Sequence, residues 1–199
     1  MRYSFLLFMI LVGCHKETNK LIPSYSSNGS QKDIYTKVRS IVEKKDFSVV
    51  YFKWGEADNG WYKILTLTDD RWEKIEIRTG VAEGDSTEIV LKDIIITKQL
   101  EENEGKYLID KLVQYHLFEI DEEEVILDKC KQSLKTEKLP FVIADASTTY
   151  FQIISGDKVR SLSYYDSYDR QSQCSSIKEW ECILKIEKLF EEKWYINKH

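Results

Sequence analysis

The side chains able to act as nucleophile, metal ligand or acid–base pair are four cysteines, three histidines and 34 acidic residues. Cys130, Cys174 and Cys182 lie in the body of the chain, and Cys14 lies near its start. Cys174 precedes a predicted helix that contains Cys182, so their Cα atoms should stand roughly 10 Å apart, beyond the ~7 Å reach of a disulfide. Cys130 bridged to either partner, or three reduced thiols, are the open alternatives. His15 and His199 are near the two ends of the sequence. His116 follows Leu112 by four residues and Val113 by three, which reads as a satisfied histidine at a core boundary. With no second histidine to join it, no metal site is expected.

Carboxylates cluster at Asp69-Asp70, Glu101-Glu102-Asn103-Glu104, Asp121 to Glu124 and Asp166-Ser167-Tyr168-Asp169. Two such groups brought together by folding could act as acid and base or hold Ca²⁺, but none has EF-hand spacing. Solvated charge is the plainer reading. No G-x-S-x-G, H-E-x-x-H, P-loop or glycine-rich dinucleotide pattern occurs, so no catalytic residue and no cofactor is assigned.

The 199 residues are 42% hydrophobic and 32% charged with two prolines, a composition that excludes collagen-like, low-complexity and wholly disordered chains. A formal charge of −5 leaves no basic footprint for nucleic acid.

Residues 3 to 13 (YSFLLFMILVG) form an apolar run after Arg2, too short for the roughly 20 residues of a membrane-spanning helix. The run ends Leu11-Val12-Gly13-Cys14, which resembles the lipobox of bacterial lipoprotein precursors. The resemblance covers the leader alone. It implies a diacylglyceryl thioether on Cys14, cleavage before it and acylation of the new N-terminus. That is a membrane partner reached through lipid and not through a span, with more than one acyl chain giving durable anchorage. It also implies a bacterial cell-envelope location, with His15 after the cysteine compatible with the outer membrane. Residues 1–13 are then signal peptide. Residues 14–31, rich in Ser, Asn, Lys and Thr, read as a flexible tether reaching on the order of 23 Å.

Residues 32–199 are expected to form one α+β domain: an antiparallel sheet in two strand groups with about three helices packed on it. The pattern Ser30-Gln31-Lys32-Asp33 predicts a capping box, and Ile34, Val38, Ile41 and Val42 then recur at helical spacing, which predicts a helix over 31–45. Three β-branched and aromatic runs follow at 47–54, 61–68 and 71–78, and a fourth strand is predicted over 88–97. A two-residue turn at Asp69-Asp70 would pair Thr68 with Arg71. That register sets Ile64 opposite Ile75 and Tyr62 opposite Ile77 on one face, and Leu67 opposite Trp72, Leu65 opposite Lys74, Lys63 opposite Glu76 and Trp61 opposite Arg78 on the other. A helix over 98–118, an irregular or briefly helical stretch at 122–133, strands at 141–145, 148–155 and 158–165, and a last helix opened by Ser176, whose Ile177, Trp180, Ile183, Leu184, Phe190 and Trp194 share one broad side, complete the reading. Gly156-Asp157 is expected to turn the last hairpin and set Phe151 opposite Leu162.

Aromatic residues stand above background at 13%. If Trp54 pairs with Trp61 across the intervening loop, then Trp54, Trp61, Trp72 and Arg78 line one side of the meander. Lys63 and Lys74 on that side argue that its edge meets water. Such a surface suits a protein or glycan partner. The sequence therefore reads as a lipid-anchored envelope protein with a non-catalytic binding domain. A hydrolase with paired carboxylates and a structural envelope lipoprotein are the alternatives.

Overall fold

A computed structural model describes residues 21–55, 61–83, 90–137, 139 and 146–194. Among them are six strands, β1 (Phe47–Trp54), β2 (Trp61–Thr68), β3 (Arg71–Glu83), β4 (Val90–Gln99), β5 (Thr148–Ser155) and β6 (Lys158–Tyr165). The helices are α1 (Thr36–Val42), α2 (Glu102–Gln114), α3 (Glu123–Leu134), α4 (Ser167–Gln173) and α5 (Lys178–Glu192). The class is α+β, with five helices rather than three. The strand expected at 141–145 falls outside the described residues.

The two strand groups are one sheet. Its order is β4-β3-β2-β1-β5-β6, antiparallel throughout, because β1 pairs with β2 on one side and with β5 on the other. The β2–β3 register is the expected one, from Thr68↔Arg71 out to Trp61↔Arg78. Asp69 and Asp70 both take positive φ (47° and 61°), the backbone that a two-residue hairpin turn with right-handed strand twist requires. Phe151 faces Leu162 across the second hairpin, turned at Gly156 with φ of 55°.

Each sheet face buries its own core. One face sets Phe47, Val49, Leu65, Leu67, Phe151 and Leu162 against Leu108 and Leu112 of α2, Ile126 of α3 and Trp180, Ile183, Ile186 and Phe190 of α5. The opposite face sets Val50, Ile64, Ile75, Ile77, Ile154 and Val159 against Val38 and Val42 of α1. Between α2 and α3 the chain is pinned to β6 by the buried Arg160, whose guanidinium donates to the carbonyls of Phe118 and Ile120.

Several element bounds move for identifiable reasons. The capping box between Ser30 and Asp33 forms, but it opens only a 3₁₀ turn over Gln31–Asp33. The buried Gln152 of β5 then intervenes: its amide donates to the Asp33 carbonyl (2.7 Å), and its oxygen accepts from the Tyr35 N–H (3.2 Å). Those two backbone groups are thereby satisfied outside a helix, and α1 starts at Thr36. The helix expected from 98 starts at 102 because Lys98 and Gln99 pair with Lys74 and Glu73 in the sheet. It stops at 114 in a Schellman geometry: the Leu117 N–H donates to the Leu112 carbonyl, the His116 N–H donates to the Val113 carbonyl, and His116 has φ of 59°. His116 is thus a C′ residue with an exposed side chain, not a core-boundary one. At the last helix the N-cap is Ile177, and Ser176 instead shares a hydrogen bond with Ser133.

Residues 21–31, expected within a flexible tether, are instead held to the domain. Leu21, Ile22 and Tyr25 pack against the main core, the Asn28 and Gly29 N–H groups donate to the Val159 carbonyl, and Tyr25 Oη donates to the Lys158 carbonyl at 3.0 Å. Burial pushes the Tyr25 phenol up to about 12. The apolar Leu21, Ile22 and Tyr25 and the open edge of β6 supply what a polar tether would lack: surface to bury and carbonyls to bond.

Candidate functional site

The aromatic surface read from sequence divides between places. The β1–β2 register runs from Phe47↔Leu67 to Phe52↔Tyr62, so Trp54 does not face Trp61 and falls on the opposite face of the sheet. Trp54 is 58% exposed, with Phe52 edge-on beside it. Trp72 is fully buried beneath α2, where Gly105 leaves room for its indole. Trp61 and Arg78 stay together, the guanidinium carbon 4.3 Å from the ring centroid, with Arg78 also paired to the buried Glu76. Lys74 does not mark a wet edge: it is buried, donating to Glu104 (2.9 Å) and to the Lys193 carbonyl (2.8 Å). Cys14 lies outside the described residues.

The side chains that do converge lie at the end of the sheet where β1 finishes, β5 begins and β6 passes into α4. A cavity of about 380 Å³ is walled there by Lys53, Thr149, Asp166, Tyr168, Asp169 and Glu187, among others. The register Lys53↔Thr149 sets these two side by side. Glu187 reaches them from α5, where it sits four residues after Ile183 and three before Phe190, within the apolar stripe. It is 6% exposed. Thr149 Oγ1 donates to its Oε1 at 2.8 Å, and the Lys53 ammonium stands 3.6 Å from its Oε2 and 3.5 Å from Glu191. Burial raises the Glu187 carboxyl above its usual range, and Lys53 opposes that shift.

Asp166 caps the opposite wall. Its backbone is left-handed (φ 53°, ψ 51°), and its N–H donates to the Ser147 carbonyl at 2.9 Å. The residue is 9% exposed, and no protein group donates to its Oδ2. Burial and the neighbouring Asp169 both raise its carboxyl above the ordinary value. Tyr168, 75% exposed, stands at the rim, and Trp54 immediately precedes Gly55, another wall residue. A cavity walled by carboxyls, a lysine and a threonine hydroxyl, with the exposed Tyr168 at its rim, can hold a polar ligand by hydrogen bonds and stacking.

Of these residues, Asp166, Tyr168 and Asp169 belong to a cluster visible in the sequence as charge. Lys53, Thr149 and Glu187 were missed. The signal for Glu187 was a carboxylate inside an apolar helical stripe, which burial prices heavily unless it is partnered.

A second cavity of about 330 Å³ is lined by His116, Glu119, Ile120, Asp121, Lys178, Glu179 and Cys182. Burial raises the Cys182 thiol, the opposite of what a cysteine nucleophile needs. Cys130 and Cys174 are joined as a disulfide, with Cα atoms 5.6 Å apart. Among the described residues no group of three or more His, Cys, Asp or Glu side chains is placed to hold a metal ion.

No protein-family model matches the chain, and no curated protein matches it in sequence. Function therefore rests on the site itself.

Proposed function

We propose that this is a lipid-anchored protein of the bacterial cell envelope whose domain binds a partner without transforming it, at the end of the sheet that carries Trp54, Tyr168 and the Asp166–Glu187 cavity. The observation that carries the reading is a cavity walled by carboxyls, a lysine and a threonine hydroxyl with the strongly exposed Tyr168 on its wall, and with Trp54 exposed at the same end of the sheet. Aromatic stacking beside carboxylate acceptors suits a glycan better than an apolar protein face, because sugar rings offer hydroxyl donors and a C–H surface together. Anchorage rests on Leu11-Val12-Gly13-Cys14, and the described chain is first held to the domain at Leu21.

Two experiments test it. Metabolic labelling with palmitate is expected to mark the wild type and not Cys14→Ser, which should leave the membrane fraction; an unlabelled wild type overturns the anchor. Pull-down of envelope glycans by the wild type is expected to be lost in a folded Trp54→Ala/Tyr168→Ala variant. Equal capture by both overturns the surface.

A hydrolase is the second reading, favoured by one observation: Asp166, Asp169 and Glu187 wall a single cavity, and two of them hold their protons more tightly than usual. Paired carboxyls of that kind serve glycoside cleavage. Release of reducing ends from purified envelope glycan by the wild type, absent in Glu187→Gln, would support it. No release above that variant would dismiss it.

A further inference from the structure

The two edges of the sheet are finished differently. β6 ends it on one side, and the chain covers that edge with its own residues. The Val159 carbonyl accepts from the Asn28 and Gly29 N–H groups, and the Val159 N–H donates to Ser27 Oγ. Ser161 exchanges two hydrogen bonds with the Asn28 side-chain amide (2.8 and 2.9 Å), and the Tyr165 N–H donates to Glu123. β4 ends the sheet on the other side, and among the described residues no strand pairs with its outer edge. The Leu100 N–H donates to the Trp72 carbonyl, which sets the phase of the β3–β4 ladder. Bonding alternates along an antiparallel pair, so Ile94, Ile96 and Lys98 bond inward to β3, while Asp93, Ile95, Thr97 and Gln99 turn their N–H and C=O groups outward. The middle of this edge is Ile94-Ile95-Ile96-Thr97, all β-branched, with Ile95 58% exposed. A long edge of this composition is a template for one more strand.

We propose that the added strand is β4 of a second copy of this chain, paired antiparallel about a two-fold axis at Ile96, so that the two sheets become one. Such an axis stands perpendicular to the sheet and keeps each face on its own side, which places it on a residue and leaves few registers to weigh. Centred on Ile95, Lys92 would face Lys98 of the second copy, a like-charge pair repeated twice. Centred on Thr97, Asp93 would face Glu101 twice. Centred on Ile94, Asp93 and Lys92 would face Ile95 and Ile96. Centred on Ile96, like meets like by polarity: Ile96 faces Ile96, Ile95 faces Thr97 and Asp93 faces Gln99, with no like charges opposed. The only charged residue then set opposite an apolar one along the central stretch is Lys98, against Ile94, and its ammonium is 3.8 Å from Glu104. The N-terminal segment lies along β6, five strand spacings or roughly 24 Å away, and β4 adds no residue to the cavity between β1, β5 and α5. Pairing therefore obstructs neither, and the inference stands whether or not the cavity binds a ligand.

Two measurements on the full chain test it. Light scattering of the protein in detergent micelles, with the detergent mass subtracted, should give twice the monomer's protein mass and fall to the monomer on dilution. Thr97→Pro removes an outward N–H without breaking a bond to β3, so it should give the monomer mass while circular dichroism stays unchanged. The second measurement is cysteine crosslinking in membranes of the producing cells, in a Cys182→Ser background that removes the native free thiol. In the proposed register the two Ile96 positions form a non-hydrogen-bonded pair with Cα atoms roughly 4.5 Å apart, within disulfide reach. Ile96→Cys should therefore crosslink to itself under mild oxidation. Ile94→Cys alone should not, but should crosslink to coexpressed Lys98→Cys. A wild type that is monomeric at every concentration overturns the proposal. So does a dimer that survives in folded Thr97→Pro, which would place the interface elsewhere or make it a product of the shared micelle. A dimer in which Ile96→Cys stays uncrosslinked while Ile94→Cys or another single position crosslinks to itself overturns the register and with it the argument from side-chain matching.

Discussion

At Gly105 a single missing carbon decides how α2 meets the sheet. A Cβ built there would lie 2.2 Å from Trp72 Cγ and 2.4 Å from Trp72 Cβ, both close to the backbone of β3 and unable to swing aside. Alanine would gain up to ~1 kcal/mol of helix propensity, but overpacking of this kind costs about 1–3 kcal/mol or more. Gly105→Ala is therefore expected to destabilise by about 2 kcal/mol, read as a lowered urea midpoint. Glu187 offers a second test at the same scale. Its folded carboxyl binds a proton more tightly than the unfolded one, so its contribution to stability is greatest in acid and declines as pH rises from the ordinary carboxylate value through the raised one. Glu187→Gln removes that decline, so the stability of the wild type relative to the variant should fall over this interval. Parallel pH profiles of the two proteins would contradict it.

At the scale of elements, the break between the 3₁₀ turn and α1 depends on a side chain from elsewhere in the sheet. Gln152 is 1% exposed and bonds the Asp33 carbonyl, the Tyr35 N–H and Ser161 Oγ. Gln152→Leu fills a similar volume but strands two backbone groups, each worth about 1–3 kcal/mol when left unsatisfied. A loss of about 2–3 kcal/mol in chemical denaturation is expected, with α1 and the segment from Asn28 to Asp33 showing the largest gain in amide exchange. The periodicity of Ile34, Val38, Ile41 and Val42 was legible in the sequence, and Ile34, Val38 and Val42 do point into the core. The interruption was not, because its cause is 117 residues away. The hairpins were legible down to the register, since a two-residue turn and period-two alternation act locally.

Across the whole molecule, Cys130–Cys174 ties α3 to the turn between α4 and α5 and closes a loop with a sequence separation of 44. Loop-closure entropy for that length amounts to about 4 kcal/mol in the unfolded state. Replacing both cysteines by serine should lower the unfolding free energy by about 3–4 kcal/mol, and mild reduction of the wild type should reproduce the change. The attachment of residues 21–30 along β6 also bears on how the domain sits at a membrane. From Cys14 to Leu21 is seven residue steps, at most ~25 Å at full extension, so a lipid on Cys14 would keep the sheet edge near the surface.

The sequence by itself determined the α+β class, strands β1 and β2 to the residue, both hairpin registers and the apolar side of α5, because each follows from residue spacing and from turns that act over a few positions. Tertiary structure decided what those spacings leave free. It joined two strand groups through β1 and β5, set Trp54 on the face opposite Trp61, buried Trp72 under Gly105 and chose Cys174 over Cys182 as the partner of Cys130. It also brought Lys53, Thr149, Asp166 and Glu187 around one cavity. These are contacts between residues distant in the chain, and their geometry is set by how helices stack on a sheet, which no local pattern encodes.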